Sequence, residues 1–240
     1  MSGDRHLDWE GCFNVRDLGG LRTKDGGLTR RGSVVRADAL GHLTPAGWAA
    51  LQAYGIRTVV DLRNPHEWAE DTAPRPEGVA TVRVALDGIE HRDFWDYWES
   101  GPQFGTPLYY RPFLGRFADR IARVIAAIAQ AAPGGLAFHC AGGRDRTGLV
   151  SLVLLTLAGV PADEIAADYV LSTVRLRAFW GPRGLPDQEP AIEAFLAAQG
   201  TRAEDVIVSL VESFDARGYL RDAGLCDEEL AAVRARLRDR

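Results

Sequence analysis

Five residues separate Cys140 from Arg146 in the stretch "HCAGGRDRTG", residues 139–148. A thiolate is a strong nucleophile, and an arginine presents a planar fork of donors that matches two oxygens of a phosphate. Gly142 and Gly143 let the chain between them curl tightly without a Cβ clash. The apolar run "GLAFH" precedes this stretch and "GLVSLVLLTLAGV" follows it. The pattern reads as a strand, a tight turn and the start of a helix. Such a turn cradles an anion, because backbone N–H groups point inward and the helix dipole is positive there. Helix N-termini and arginines also favour the thiolate form of a cysteine. Cys140 is therefore the expected nucleophile on a bound phosphorus, forming a cysteinyl-phosphate that water later hydrolyses. Cys12 and Cys226 have no such company and read as structural.

The loop residues Ala141, Gly142, Gly143, Arg144, Asp145, Arg146 and Thr147 are the expected phosphate binders. The Thr147 hydroxyl is placed to donate to the sulfur and ease its departure. His139 is expected to hydrogen-bond backbone and tune the loop. Arg144 is expected to reach outward, toward whatever carries the phosphate. A leaving oxygen needs a proton, and the attacking water must later lose one. Two aspartates are candidates for that work. Asp61 stands in "VVDLR" at a strand end, and Asp145 lies in the loop itself; Asp93 and Asp96 rank below them.

The elements that must position these residues follow from hydrophobic period and turn chemistry. "LTPAGWAALQAYG" opens with Thr44 as a cap and Pro45 at the first helical position, and closes on Gly55. "IRTVVDL" and "ATVRVAL" are short β-branched runs that read as strands. "GGLRTKDGGLTRRGSVVRA" contains Asp25-Gly26 and predicts a hairpin. Phe117, Ile121, Val124, Ile125 and Ile128 recur at helical spacing, and the run after Thr147 is apolar on all sides, as a buried helix would be. Residues 63–78 are polar and proline-bearing and read mostly as loop. Residues 88–115 hold eight aromatic residues among glycines and prolines, and read as a long binding loop, a lid or an insert, or else as an aromatic cluster packed on the core. The remainder, 160–240, reads as a helical C-terminal part of one domain spanning 1–240. Alternating strands and helices imply an α/β fold, a central and mainly parallel sheet with helices on both faces. Ligands in such folds gather at the carboxyl ends of the strands, where Cys140 and Asp61 both fall.

A chain of 240 residues with 46% apolar and 25% charged residues is an ordinary globular composition. A net charge of −5 argues against a nucleic-acid partner, though not against one basic cleft. Three scattered cysteines form neither a disulfide framework nor a zinc site, so no metal and no cofactor is expected. The polar N-terminus has no apolar core of a signal peptide, and the most apolar run, Leu149–Val160, is too short to span a bilayer. The expected location is the cytoplasm, with export by a route that needs no cleaved signal left open.

"HCAGGRDRTG" matches the Cys-x5-Arg phosphate loop of the tyrosine and dual-specificity phosphatases. Together with "NVRDLGG" at 14–20, "GIRTVVDLR" at 55–63 and "DYVLS" at 168–172, it resembles the bacterial and fungal tyrosine phosphatase family that includes the secreted mycobacterial tyrosine phosphatase B. The resemblance implies one α/β domain with a three-layer αβα build, no metal, and hydrolysis of phosphotyrosine on a protein or peptide. It also implies Cys140 as nucleophile and Arg146 as phosphate clamp. Many relatives have lysine where this chain has Arg144, which keeps the charge and changes its shape. Asn14, Arg16 and Asp17 read as side chains that satisfy loop backbone. Three rivals stay open: a dual-specificity or phosphoinositide phosphatase with the same loop, a rhodanese-type sulfurtransferase, and a phosphate-binding pseudo-enzyme.

Overall fold

The computed structural model describes residues 5–69, 71, 74–181, 184 and 186–238. Its strands are β1 (Arg16–Asp17), β2 (Val34–Ala37), β3 (Ile56–Asp61), β4 (Ala80–Arg83) and β5 (Gly135–His139). They form one sheet in the order β1-β2-β5-β3-β4. β1 runs antiparallel to β2, and all the other pairs are parallel. The expected mainly parallel α/β sheet is therefore present. The last strand in sequence, β5, enters the middle of the sheet and is buried throughout. In register, His139 stands beside Ala37 of β2 and Asp61 of β3, so three strand ends meet at Cys140.

Side chains alternate across the sheet, as the pleat requires. Val34, Val60, Leu136 and Phe138 join the larger core, and Val35, Ala37, Val59 and Ala137 join the smaller one. The smaller core is covered by α1 (Pro45–Ala53), whose Thr44 cap accepts from Gly47 N at 3.2 Å. The larger core is covered by α4 (Tyr110–Arg116), α5 (Ala118–Gln130), α6 (Asp145–Ala158), α7 (Ala162–Trp180), α9 (Ala203–Glu212), α10 (Ala216–Asp222) and α11 (Asp227–Leu237). Almost every residue of α6 is buried, as its unbroken apolar run required, and Gly159 closes it at φ 82°. The predicted hairpin is also found, with Arg22 bridged to Leu28 across the Asp25-Gly26 turn.

Two segments differ from their expected form. Residues 88–115 are not a long loop: they fold into α3 (Arg92–Trp98), two short 3-10 turns and the first part of α4. Their aromatic rings pack edge to face with one another and with Phe117, which gives this stretch a buried surface that its glycines and prolines alone conceal. Residues 63–78, read mostly as loop, contain α2 (Pro65–Ala69). A further helix, α8 (Glu189–Ala198), lies against the 3-10 turn Pro102–Gly105. Among the described residues, no helix is long and apolar enough to cross a membrane.

Candidate active site

Cys140 follows β5 directly and is buried, and α6 begins at Asp145. The turn between them is dictated locally. Gly143 has φ +70°, and a Cβ on it would lie 2.6 Å from Ala37 O, so only glycine lets the loop rest on the end of β2. No side chain caps the start of α6. Its first N–H groups are thus left for a ligand.

Each carbonyl from Cys140 to Asp145 is held on the outer side of the loop. His139 Nδ1 stands 3.1 Å from Cys140 O, and since a carbonyl only accepts, this nitrogen carries the proton. Ala39 N–H donates to Ala141 O at 2.9 Å. Asn14 Nδ2 donates to Gly142 O at 2.9 Å, and Arg36 Nη2 to Gly143 O at 2.8 Å. Gly148 N–H donates to Arg144 O at 2.7 Å, and Tyr110 OH to Asp145 O at 2.8 Å. In a planar trans peptide the N–H lies opposite its C=O. The N–H groups of Ala141 to Arg146 therefore face the other way, into a common cradle. A Cβ on Gly148 would lie 2.6 Å from the Tyr110 hydroxyl, so that glycine is what lets the tyrosine reach the loop.

Arg146 is gripped end-on by Glu67 of α2, Nη1 to Oε2 at 2.6 Å and Nη2 to Oε1 at 2.9 Å. Asp87, just beyond β4, forms a second ion pair with Nη1 at 3.2 Å. That leaves the side fork of the guanidinium, Nε and the outer hydrogen of Nη2, for two phosphate oxygens. Burial pushes Glu67 up, but the hydrogen bonds and charge of Arg146 outweigh it and hold the carboxylate below its usual range. Asp87 goes the other way. Burial, with the charges of Glu67 and Asp145, lifts its pKa above the ordinary aspartate range despite Arg146 and a 2.9 Å bond from Asn64 Nδ2. The aromatic segment braces this residue as well, since Trp95 Nε1 donates to Asp87 O at 2.9 Å.

The expected site residues divide into those that meet at the cradle and those held elsewhere. Cys140, Asp145, Arg146 and the loop backbone come together. Thr147 Oγ1 is buried without a hydrogen-bond partner among the described residues, one turn from the sulfur's strand end. Asp61 is fully buried and occupied: Arg63 binds both its oxygens, at 2.9 and 2.7 Å. Burial raises its pKa, yet these bonds bring it below the usual value, which suits an ion-pair anchor and not a proton donor. Arg144 does not reach outward. It is 4% exposed, paired with Glu189 of α8 and, at 3.1 Å, with Asp145. Asp93 and Asp96 lie on the exposed side of α3, paired with Arg116 and Arg92. Asn14 does satisfy phosphate-loop backbone, as expected, while Asp17 binds the N–H groups of Gly19 and Gly32.

Glu67, Asn64 and Asp87 escaped the sequence reading. For two of them a signal exists: Asn64, Pro65 and Glu67 stand as helix cap, first position and third position, and Glu67 Oε2 indeed accepts from Asn64 N–H at 2.8 Å. Asp87 is marked only by lying past the carboxyl end of β4, on the side of the sheet where Cys140 lies.

Comparison with known proteins agrees with this geometry. The tyrosine phosphatase family matches residues 7–239. A tyrosine-protein phosphatase of Nostoc commune is 32% identical over 219 residues, which is 85% of this chain and 73% of that protein. The triple specificity protein phosphatase PtpB of Mycobacterium tuberculosis is 27% identical over 270 residues, covering 93% of this chain and 96% of its own. Matched by that family over nearly its whole length, with Cys140 and Arg146 at the two ends of one glycine turn, this protein belongs to the tyrosine phosphatase family.

Proposed function

We propose that this chain hydrolyses phosphotyrosine on proteins or peptides through a cysteinyl-phosphate on Cys140. The observation that supports it best is the loop itself, with its carbonyls drawn outward around a buried cysteine at an uncapped helix start. The inward N–H groups and the side fork of Arg146 hold the three non-ester oxygens and offset the charge that grows on them in the transition state. Cys140 Sγ attacks phosphorus in line; the S–P bond forms as the bond to the tyrosine oxygen breaks. The leaving oxygen takes a proton from Asp145, whose side chain is 24% exposed at the loop mouth and whose bonds from Arg144, at 3.1 and 3.5 Å, are looser than those that hold the buried Asp61, at 2.9 and 2.7 Å. Asp87, whose pKa is raised by burial and by Glu67 and Asp145, is a deeper carboxyl of the same cluster. In the second step water attacks phosphorus, the Asp145 carboxylate takes its proton, and the thiolate leaves, with Thr147 Oγ1 free to donate to the sulfur.

A single phosphate ester suits the site better than a polyphosphorylated one. The charge of Arg144, the position that could have met a second phosphate, is already taken by Glu189 and Asp145. The test is a substrate panel with chelator present: phosphotyrosine, phosphoserine and phosphothreonine peptides against mono- and bis-phosphorylated inositol lipids. The expected result is the highest kcat/KM on phosphotyrosine peptides, and less than about a hundredth of that rate in Cys140→Ser, whose hydroxyl is not ionised near neutral pH. A preference for the bis-phosphorylated lipid would replace the substrate assigned here. A Cys140→Ser enzyme that kept its rate would remove the covalent mechanism.

A further inference from the structure

The polar residues of "DYVLS" on α7 take no part in the chemistry above, yet Asp168 is 2% exposed and Ser172 is fully buried. Asp168 gathers three arginines from far along the chain. Arg5 Nη2 donates to Oδ1 at 2.6 Å, Arg16 Nε to Oδ1 at 3.0 Å, and Arg36 Nη1 to Oδ2 at 2.6 Å. Ser172 Oγ accepts from Arg16 Nη2 at 3.0 Å and from Arg36 Nη2 at 3.3 Å. Stability alone does not account for this cluster. Each guanidinium gives up its hydration beside two like charges, and apolar packing of the same volume generally serves a core as well. Burial and the charge of Arg36 bring Arg16 down to about 9.

What the cluster does is geometric. Two of its arms end on consecutive carbonyls of the phosphate loop. Arg36 Nη2 reaches Gly143 O at 2.8 Å. Arg16 Nη1 donates to Asn14 Oδ1 at 2.6 Å, which fixes the direction of that amide and turns Nδ2 toward Gly142 O at 2.9 Å. A flipped Asn14 would set one oxygen against another.

We propose that Asp168 and Ser172 are positioning residues for the phosphate loop: they hold Arg36 and the Arg16–Asn14 pair so that the Gly142 and Gly143 carbonyls are drawn back and the next N–H groups face the bound anion. The inference rests on the phosphatase reading of the loop, but its readout does not need turnover. Arg36→Lys and Ser172→Ala are compared with wild type for binding of inorganic phosphate and tungstate by calorimetry, and for Tm. A lysine has one ammonium and cannot span Asp168, Ser172 and Gly143 as the fork does. The expected result is a Kd for both anions weakened at least about tenfold in each variant, with KM for an aryl phosphate rising in step. Ile56→Val, a core change on β3 away from the cradle, provides the comparison: it lowers Tm and leaves both Kd values unchanged. If Arg36→Lys does not fold, Ser172→Ala decides alone. Anion affinities within twofold of wild type, or reduced only as far as Ile56→Val reduces them for the same loss of Tm, overturn the proposal. A wild-type protein that binds phosphate but hydrolyses no aryl phosphate would overturn the catalytic reading and leave the positioning result standing.

Discussion

Asp145 and Asp87 feel one another's charge but differ in setting, Asp145 pairing with Arg144 and Asp87 with Arg146. Asp145 opens α6 at the loop mouth, and Asp87 lies deeper against Arg146. A general acid matters most for a poor leaving group, since a good one departs without a proton, and its contribution is roughly 10² to 10⁴ in rate. Asp145→Asn is therefore expected to lower kcat on phosphotyrosine by about 10² or more and to steepen the dependence of rate on leaving-group pKa. Asp87→Asn is expected to act on the pH profile. A carboxyl whose pKa is raised stays protonated to a higher pH than usual, so activity falls as pH climbs through that raised value. Removing it should flatten the alkaline limb. Rates measured on a series of aryl phosphates across pH check both outcomes; identical slopes in all three proteins would place the acid elsewhere.

At the level of elements, the cradle is assembled from the starts of helices and the ends of strands. β5 and α6 supply the loop, α2 supplies Glu67 to hold the clamp, α7 holds the loop's outer side, and α8 covers Arg144 through Glu189. The last of these is expected to bear on specificity, because it occupies the Arg144 guanidinium. Glu189 is 3% exposed and, among the described residues, pairs with the Arg144 guanidinium from another element. Glu189→Gln removes the opposing charge and keeps the shape. The expected outcome is a rise of about tenfold or more in the ratio of kcat/KM for a bis-phosphorylated inositol over a phosphotyrosine peptide, as the freed guanidinium gains a second phosphate, a charge-assisted bond worth about 1.5–3 kcal/mol. An unchanged ratio would mean that Arg144 is too deeply placed to touch substrate in either state.

Across the whole molecule, the centre of the sheet carries a buried histidine whose proton affinity links folding to pH. His139 is fully buried, and burial brings its pKa from 6.5 down to about 4. The unfolded chain therefore takes up a proton at a higher pH than the folded one. Stability is undiminished by this group above 6.5, falls as pH drops from there toward 4, and levels off below, where both states carry the proton. The loss across that window is up to roughly 3 kcal/mol. Urea unfolding at a series of pH values should show the decline, and His139→Gln should flatten it even though that variant starts from a lower stability. An equal slope in the variant would assign the acid sensitivity to other groups.

How much of this was legible in the amino-acid order follows from the range of each interaction. The strand–turn–helix shape from Gly135 to Ala158 was legible because its geometry is local. A strand run, a glycine at the one position with φ +70° beside Ala37, and an apolar helix run lie within some twenty consecutive residues, and covalent connection alone sets Cys140 and Arg146 at the two ends of one turn. The alternation of strands and helices, the Thr44 cap and the buried α6 were legible for the same reason. For the aromatic stretch 88–115 the packed cluster was one of two readings and is the one found, but its helices were not legible, because they owe their stability to rings that find one another only after folding. Nor were the partners of the loop. Arg146 meets Glu67, 79 positions away; Arg36 meets Asp168, 132 away; Arg144 meets Glu189, 45 away. A lone charge in a sequence looks the same whether it faces water or a buried counter-charge. Asp61 is spent on Arg63, only two residues on, but nothing in that order says that both would be buried; and only the packing of α2 and α8 decided that Arg146 would meet Glu67 and that Arg144 would be covered, with Asp87 beside the clamp.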